Sequence, residues 1–105
     1  MPIKKYMYSV IFKAVVKKKD NEYLETAKSL RNLAVLKYGC IDIFSLSENN
    51  TQVTISYWSS LEDIKNWKND PEHVIAQNKV NKWYQSYKIE IVKIIREYDS
   101  KRELK

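Results

Sequence analysis

The order of strand-like and helix-like segments in this 105-residue chain predicts an α+β fold with a four-stranded antiparallel sheet. The segments follow one another as strand, helix, strand, strand, helix, strand, which is the split βαβ order of ferredoxin-like proteins (βαββαβ). The chain has one Gly and two Pro, so it carries no Gly-rich linker. Its length suits one two-layer core. We therefore expect residues 1–105 to form a single domain.

The first strand and the first helix are marked by their periodicity and their end signals. Residues 6–16 alternate β-branched and aromatic side chains between two faces, as a strand does. Asp20 is placed to cap a helix over residues 21–37. Gly39 stands where a left-handed residue would end that helix.

The middle of the chain predicts a hairpin followed by a short helix. Residues 40–47 and 51–58 have strand patterns, and the polar turn 48–50 between them implies antiparallel pairing. Ser59 and Glu62 have the spacing of a capping box, which starts a short helix carrying Trp67.

A second helix is predicted to begin at Asp70, its N-cap, with Pro71 in the first helical position. On that helix four side chains share one face at i, i+4, i+7 and i+11: His73, Gln77, Val80 and Tyr84. Residues 87–98 predict the last strand. Residues 1–5 and 99–105 are expected to be frayed.

Composition excludes several classes of protein. The single Gly rules out a dinucleotide fingerprint and a P-loop, and one Cys with one His cannot form a zinc site. Although the net charge is +6, lysines are spread along the chain and mixed with acids, so we expect no nucleic-acid partner. No apolar run is long enough to span a membrane, and one Cys predicts a reducing, cytoplasmic location without a membrane partner.

The last predicted strand suggests a partner for the sheet. It is apolar on both sides, with Ile89, Ile91, Val92, Ile94 and Ile95. Two helices can cover one face of the sheet only. A second copy of the chain would cover the other, so we predict a homodimer.

Aromatic residues cluster in the second half of the chain. All three Trp and the only His lie within residues 58–83. Such a cluster could form a wall for a flat organic ligand, or it could simply fill a small core. Residue types alone leave both possibilities open.

The chain also resembles the antibiotic biosynthesis monooxygenase (ABM) superfamily, whose members are small dimeric α+β barrels related to the heme-degrading monooxygenases. The resemblance lies in YSVIF, LRNLA and YGCID, then in ISYWSSLEDIKNWKNDPEHVIAQ and KWYQSYKIEIVKIIREY. It implies a cofactor-independent monooxygenase acting on an aromatic, quinol-type small molecule. The alternatives are a heme-degrading monooxygenase and a non-catalytic dimeric protein that binds a small ligand.

The resemblance to the heme-degrading branch is incomplete. That branch implies a histidine heme ligand where this chain has Gln77, and an asparagine on the first strand where it has Ser9. Trp67 matches the family tryptophan. We therefore expect no cofactor; the alternative is a heme reached by His73, which lies one turn before Gln77 on the same face.

The resemblance and the helix pattern together give the predicted site. His73, in the first turn of its helix, is expected to be a neutral base, and Trp67 is the second catalytic candidate. The predicted substrate-binding residues are polar or aromatic: Gln77, Trp58, Trp83, Tyr84, Thr54 and Ser56. For the three tryptophans, core packing is the alternative role.

Overall fold

The computed structural model describes residues 6–100. Its elements are β1 (Tyr8–Val16), α1 (Asn21–Leu36), β2 (Asp42–Glu48), β3 (Thr51–Trp58), α2 (Leu61–Lys68), α3 (Pro71–Gln77), α4 (Val80–Trp83) and β4 (Tyr84–Lys93). The strands form one sheet in the order β2-β3-β1-β4, and every neighbouring pair is antiparallel. The predicted ferredoxin-like α+β fold is confirmed.

The strand register assigns side chains to the two faces of the sheet. Phe12 on β1 pairs with Thr54 on β3 and Ile89 on β4, and these three side chains share the face that the helices cover. Their neighbours Ile11 and Ile55, which also pair with each other, point to the opposite face. A strand therefore contributes alternate residues to the helix side and to the open side.

The predicted signals at the two ends of α1 are confirmed. The Asp20 carboxylate accepts a hydrogen bond from the Tyr23 N–H at 2.8 Å, which satisfies one of the orphan donors of the first turn. Gly39 has φ 81°, in the left-handed region that a side chain would disfavour. The turn is closed by the Cys40 N–H, which donates to the Ala34 carbonyl at 2.9 Å.

The second helical region differs from its prediction. Ser60, not Ser59, caps α2, accepting from the Asp63 N–H at 3.1 Å. The helix that begins with the confirmed Asp70 cap stops at Gln77. The periodic pattern predicted one helix through Tyr84. Instead, the short helix α4 follows the break, and Tyr84 belongs to the sheet, where it pairs with Val16.

The ends of three strands also differ from the predicted ones, because a strand extends only where it has a partner to pair with. β1 begins at Tyr8 and β2 at Asp42, each two residues later than predicted. β4 runs from residue 84 to Lys93 instead of residues 87–98, and Lys93 is the partner of Tyr8, the first residue of β1. Of the termini predicted to be frayed, residues 1–5 and 101–105 lie outside the described part of the chain. Residues 99 and 100 belong to no helix or strand.

The core lies under one end of the helices. Trp58 and Ile64 are fully buried there, packed with Val10, Ala34 and Cys40. Within residues 6–100, no helix is both long and apolar enough to cross a membrane.

The open face of the sheet carries exposed apolar side chains. Phe44 and Leu46 on β2 are 41% and 69% exposed. Their partners in the register, Ile55 and Val53, lie on the same face. This face is the surface that the sequence predicted a second copy would cover.

Candidate functional site

A cavity of about 380 Å³ lies between the sheet and the helices, next to the core. Its volume is within the range of small-molecule sites. All four strands and all four helices contribute to its walls. Because a single two-layer domain leaves this space open beside a well-filled core, the cavity is the candidate site.

His73 enters the cavity from the first turn of α3. The Asp70 cap fixes the start of that turn through the Glu72 N–H, which donates to it at 2.8 Å. The His73 Nδ1 lies 3.2 Å from the Trp67 carbonyl oxygen. A carbonyl can only accept a hydrogen bond, so Nδ1 carries the proton in this contact and Nε2 is the acceptor of the ring.

The half-buried position of His73 also sets its charge. Burial is the main cause that lowers the pKa of the imidazole below 6.5, and the nearby Lys68 ammonium lowers it further. The Trp67 carbonyl and the Asp70 carboxylate act in the opposite direction without reversing the shift. The ring is therefore neutral at pH 7, with a basic nitrogen available to a ligand.

Trp67 forms a fixed wall beside His73. The two rings meet edge to face with their centroids 4.4 Å apart, and Trp67 also packs on Trp58 at 5.2 Å. Its Nε1–H donates to the Leu30 carbonyl on α1 at 3.1 Å. Because the indole is held on three sides, it presents a rigid apolar surface to the cavity.

A row of polar side chains crosses the sheet beneath the cavity. Arg31 donates to the Ser45 hydroxyl at 3.0 Å, and that hydroxyl lies 2.7 Å from the Thr54 hydroxyl. Gln52 contacts Thr54 in turn at 3.4 Å and accepts a hydrogen bond from the Tyr23 hydroxyl. The row therefore extends from the exposed Arg31 guanidinium on α1 to the buried Tyr23 hydroxyl.

The other end of the cavity is aromatic. Phe12 packs edge to face on Tyr84 at 5.3 Å, and Tyr23 packs edge to face on Trp83 at 5.5 Å. Burial and the neighbouring Tyr23 hydroxyl raise the pKa of Tyr84 far above its ordinary value, so this phenol stays protonated. The buried Trp83 Nε1–H has no hydrogen-bond partner within residues 6–100. A ligand oxygen at this end could accept from it.

Comparison with known proteins gives the family. No established family profile matches the chain. The uncharacterised protein YqjZ of Bacillus subtilis (strain 168) is 35% identical over 92 residues, which are 86% of this chain and 81% of YqjZ. The chain belongs to the YqjZ family.

Solved structures show that the YqjZ-family chain shares its fold with ABM proteins. A mutant of SnoaB, a cofactor-independent oxygenase from Streptomyces nogalater, superposes with TM-score 0.74 and 10% identity, covering 89% of this chain and 97% of that one. A candidate antibiotic biosynthesis monooxygenase from Nitrosomonas europaea has TM-score 0.72 and 17% identity, covering 90% and 96%. The resemblance to the ABM superfamily is thus confirmed for the fold.

The predicted site residues of this YqjZ-family protein separate into three groups. His73, Trp67, Thr54, Trp83 and Tyr84 line the cavity, although residue 84 does so from β4 instead of from a helix. Gln77 also lines it, but from an exposed position at the edge, where its amide donates to the Lys68 carbonyl at 3.3 Å.

Trp58 and Ser56 are core residues and are not among the residues that line the cavity. The Trp58 Nε1–H donates to the Ser56 hydroxyl at 2.8 Å, and both side chains are buried. This hydrogen bond explains how a polar pair is accommodated in the core. Their predicted role as cavity-wall residues is therefore corrected to core packing.

Several lining residues were missed by the sequence prediction, chiefly Tyr23, Arg31, Ser45, Gln52 and Lys68. The period of two places Gln52 on the face of Thr54, so that residue had a usable signal. Arg31 had a weaker one, at i+4 from Ala27 on the apolar stripe of α1.

The residues present do not fit a heme at the family position. The Gln77 amide nitrogen donates to a backbone carbonyl, and the amide oxygen that remains is a much weaker ligand for heme iron than the imidazole of a histidine. In the described part of the chain, no three His, Cys, Asp or Glu side chains gather closely enough to hold a metal ion. The single thiol, Cys40, is buried, and burial raises its pKa.

Proposed function

We propose that this protein is a cofactor-independent monooxygenase that binds a flat, quinol-type aromatic molecule in the cavity. The observation that carries the proposal is the neutral His73, whose Nδ1–H is committed to the Trp67 carbonyl while Nε2 remains a base. SnoaB, which shares the fold, is a cofactor-independent oxygenase, and this supports the same class of reaction.

In the proposed reaction, His73 Nε2 accepts the proton of a ring hydroxyl and leaves an electron-rich phenolate. The phenolate can give electrons directly to dioxygen, so the protein needs to supply binding, deprotonation and exclusion of water. For a substrate with a ring methylene, the CH₂ becomes a carbonyl and the second oxygen atom leaves as water. Four electrons pass from the substrate to dioxygen, which balances the step.

The walls have complementary roles in this proposal. Trp67 packs against the flat ring, and the aromatic end formed by Tyr84 and Trp83 receives its far side. Thr54 and Gln77 are the polar groups that orient ligand oxygens.

Oxygen uptake with anthrone, which has a ring methylene and an enolisable oxygen, tests the proposal. We expect His73→Gln to lower the rate by about 10²- to 10⁴-fold, the usual contribution of a general base. Glu62→Gln, an exposed change on α2, is the control and should leave the rate unchanged. Equal rates in the His73→Gln variant and the natural protein would show that His73 is not the base. Binding of anthrone without oxygen uptake would support a non-catalytic ligand-binding protein.

The heme-degrading alternative has a separate test. Hemin added to the purified protein should give no Soret shift, because Gln77 has no imidazole nitrogen for the iron at the family's ligand position. A shift that disappears in His73→Gln would instead identify His73 as an axial ligand and contradict the cofactor-independent proposal.

We also propose that two copies pair through the open face of the sheet. Phe44 and Leu46 are exposed there beside Val53 and Ile55, a contiguous apolar surface of the kind that marks interfaces. Sedimentation should show a dimer, and Leu46→Lys should shift it toward monomer. Lys28→Glu on α1, away from this face, is the matched charge-change control. A monomeric natural protein would contradict this proposal.

A further inference from the structure

We infer that the substrate is an aromatic acid: a hydroxylated ring whose carboxylate is held by Arg31 and Lys68 at one end of the cavity. The inference rests on the proposed function, because it assumes that the cavity is the ligand site. It adds the chemical class of the ligand and the residues that select it.

In the described part of the chain, the side chains that line the cavity carry positive charge and no negative charge. Arg31 and Lys68 are the charged side chains of the cavity wall, and within residues 6–100 no Asp or Glu lines it. In the same part of the chain, neither cation has a carboxylate within ion-pair distance. Lys79 and Lys82, by contrast, are both paired with Glu22. Two cations without acidic partners beside an apolar cavity favour an anionic ligand.

The two cations flank the same contact between α1 and α2. The Trp67 Nε1–H donates to the Leu30 carbonyl at 3.1 Å, and Arg31 and Lys68 are the residues that follow these two in the chain. Arg31 is steadied by its hydrogen bond to Ser45 at 3.0 Å. Its other guanidinium N–H groups are suited to the two oxygens of a carboxylate.

His73 belongs to this cationic end, since its ring touches Trp67 and its pKa is affected by Lys68. We therefore expect the carboxylate to lie at the same end of the cavity as the hydroxyl that His73 deprotonates. The aromatic end, with Phe12 and Tyr84, takes the apolar remainder. The charge at one end and the aromatic rings at the other thus favour an aromatic acid over the same ring without a charge.

Calorimetric titration with a matched pair of probes tests the inference. 1-Hydroxy-2-naphthoate carries a hydroxyl and a carboxylate on a flat aromatic ring, and its carboxamide has the same shape without the charge. We expect the natural protein to bind the acid about tenfold more tightly than the amide, as one charge-assisted contact would give. Arg31→Gln should remove that preference by weakening the acid alone, and Arg31→Lys should keep part of it.

The control removes the same charge elsewhere. Arg96→Gln, at an exposed position that contacts Tyr98, should leave both affinities unchanged. If the acid and the amide bind equally tightly, the charge selection is wrong while the aromatic site stands. If Arg96→Gln weakens the acid as much as Arg31→Gln, net charge and not the cavity explains the preference, which also overturns the inference. If neither compound binds at millimolar concentration, the ligand site fails, and the inference fails with it.

Discussion

The layer between the helices and the sheet has two ends that are built differently. At one end Trp58, Ile64 and Ala34 are fully buried and fill the space. At the other end a cavity of about 380 Å³ remains, although its walls include large rings such as Tyr84. Aromatic content is therefore not what separates core from site. At the filled end the rings pack against other side chains, and at the hollow end they line the cavity. Trp67 does both, since it packs on the core and lines the cavity.

Loss of an aromatic ring should lower the free energy of unfolding more at the filled end than at Trp67, which lies between the two ends. Trp58→Ala is expected to lower the free energy of unfolding by about 3–5 kcal/mol, because it leaves a large void and an unpaired buried Ser56 hydroxyl. Trp67→Ala, from a half-buried position, should cost less. Urea unfolding of both variants measures the difference. Equal losses would mean that the two ends are a single core.

Enlarging a side chain should also destabilise the filled end more than the hollow end. Ala34 is fully buried, so Ala34→Leu should destabilise the protein by about 1–3 kcal/mol through overpacking. Ala27 lies on the same helix but lines the cavity, and Ala27→Leu should change stability by less than about 0.5 kcal/mol. Urea unfolding measures both. A large loss in Ala27→Leu would show that the cavity cannot accept a ligand-sized group.

The ends of α1 could be predicted from the sequence because their signals are local. Asp20 and Gly39 act within one turn of the helix they delimit, and both are confirmed. The break between α3 and α4 could not be predicted in this way. Tyr84 fits the helical period, but its pairing with Val16, distant in the chain, places it in β4. Here pairing with a distant strand outweighs the local helical pattern.

The hollow end was only half predictable for the same reason. His73 and Trp67 are six residues apart across one helix junction, so their proximity follows from a single stretch of sequence. Arg31 and Gln52 reach the cavity from other elements. Their place in the cavity wall depends on how α1 packs across the sheet that contains β3, which periodicity does not specify.

The hollow end should also make the stability of the protein depend on pH just below neutrality, through His73. The folded state lowers the pKa of His73 below 6.5, so the unfolded chain takes up a proton first as the pH falls. Stability should be flat above that pH and decrease below it, by at most about 1.4 kcal/mol per pH unit for one proton. His73→Gln should abolish the slope between about pH 6.5 and 5, above the range of ordinary carboxylates. Urea unfolding at several pH values measures it, and an unchanged slope in the variant would assign it to other groups.

The smallest effect is expected at the surface that braces the aromatic end from outside. Glu22 on α1 accepts hydrogen bonds from Lys79 and Lys82, which lowers its pKa to about 2. The folded carboxylate thus stays charged to lower pH than the unfolded one, so its contribution is present above about pH 4.5 and is lost as the pH falls toward 2. All three side chains are partly exposed to water, where such pairs are screened. Glu22→Gln should therefore move the melting temperature at pH 7 by less than about 3 °C. A shift as large as that of Trp58→Ala would mean that the tie between α1 and α4, and not the buried rings, holds the cavity open.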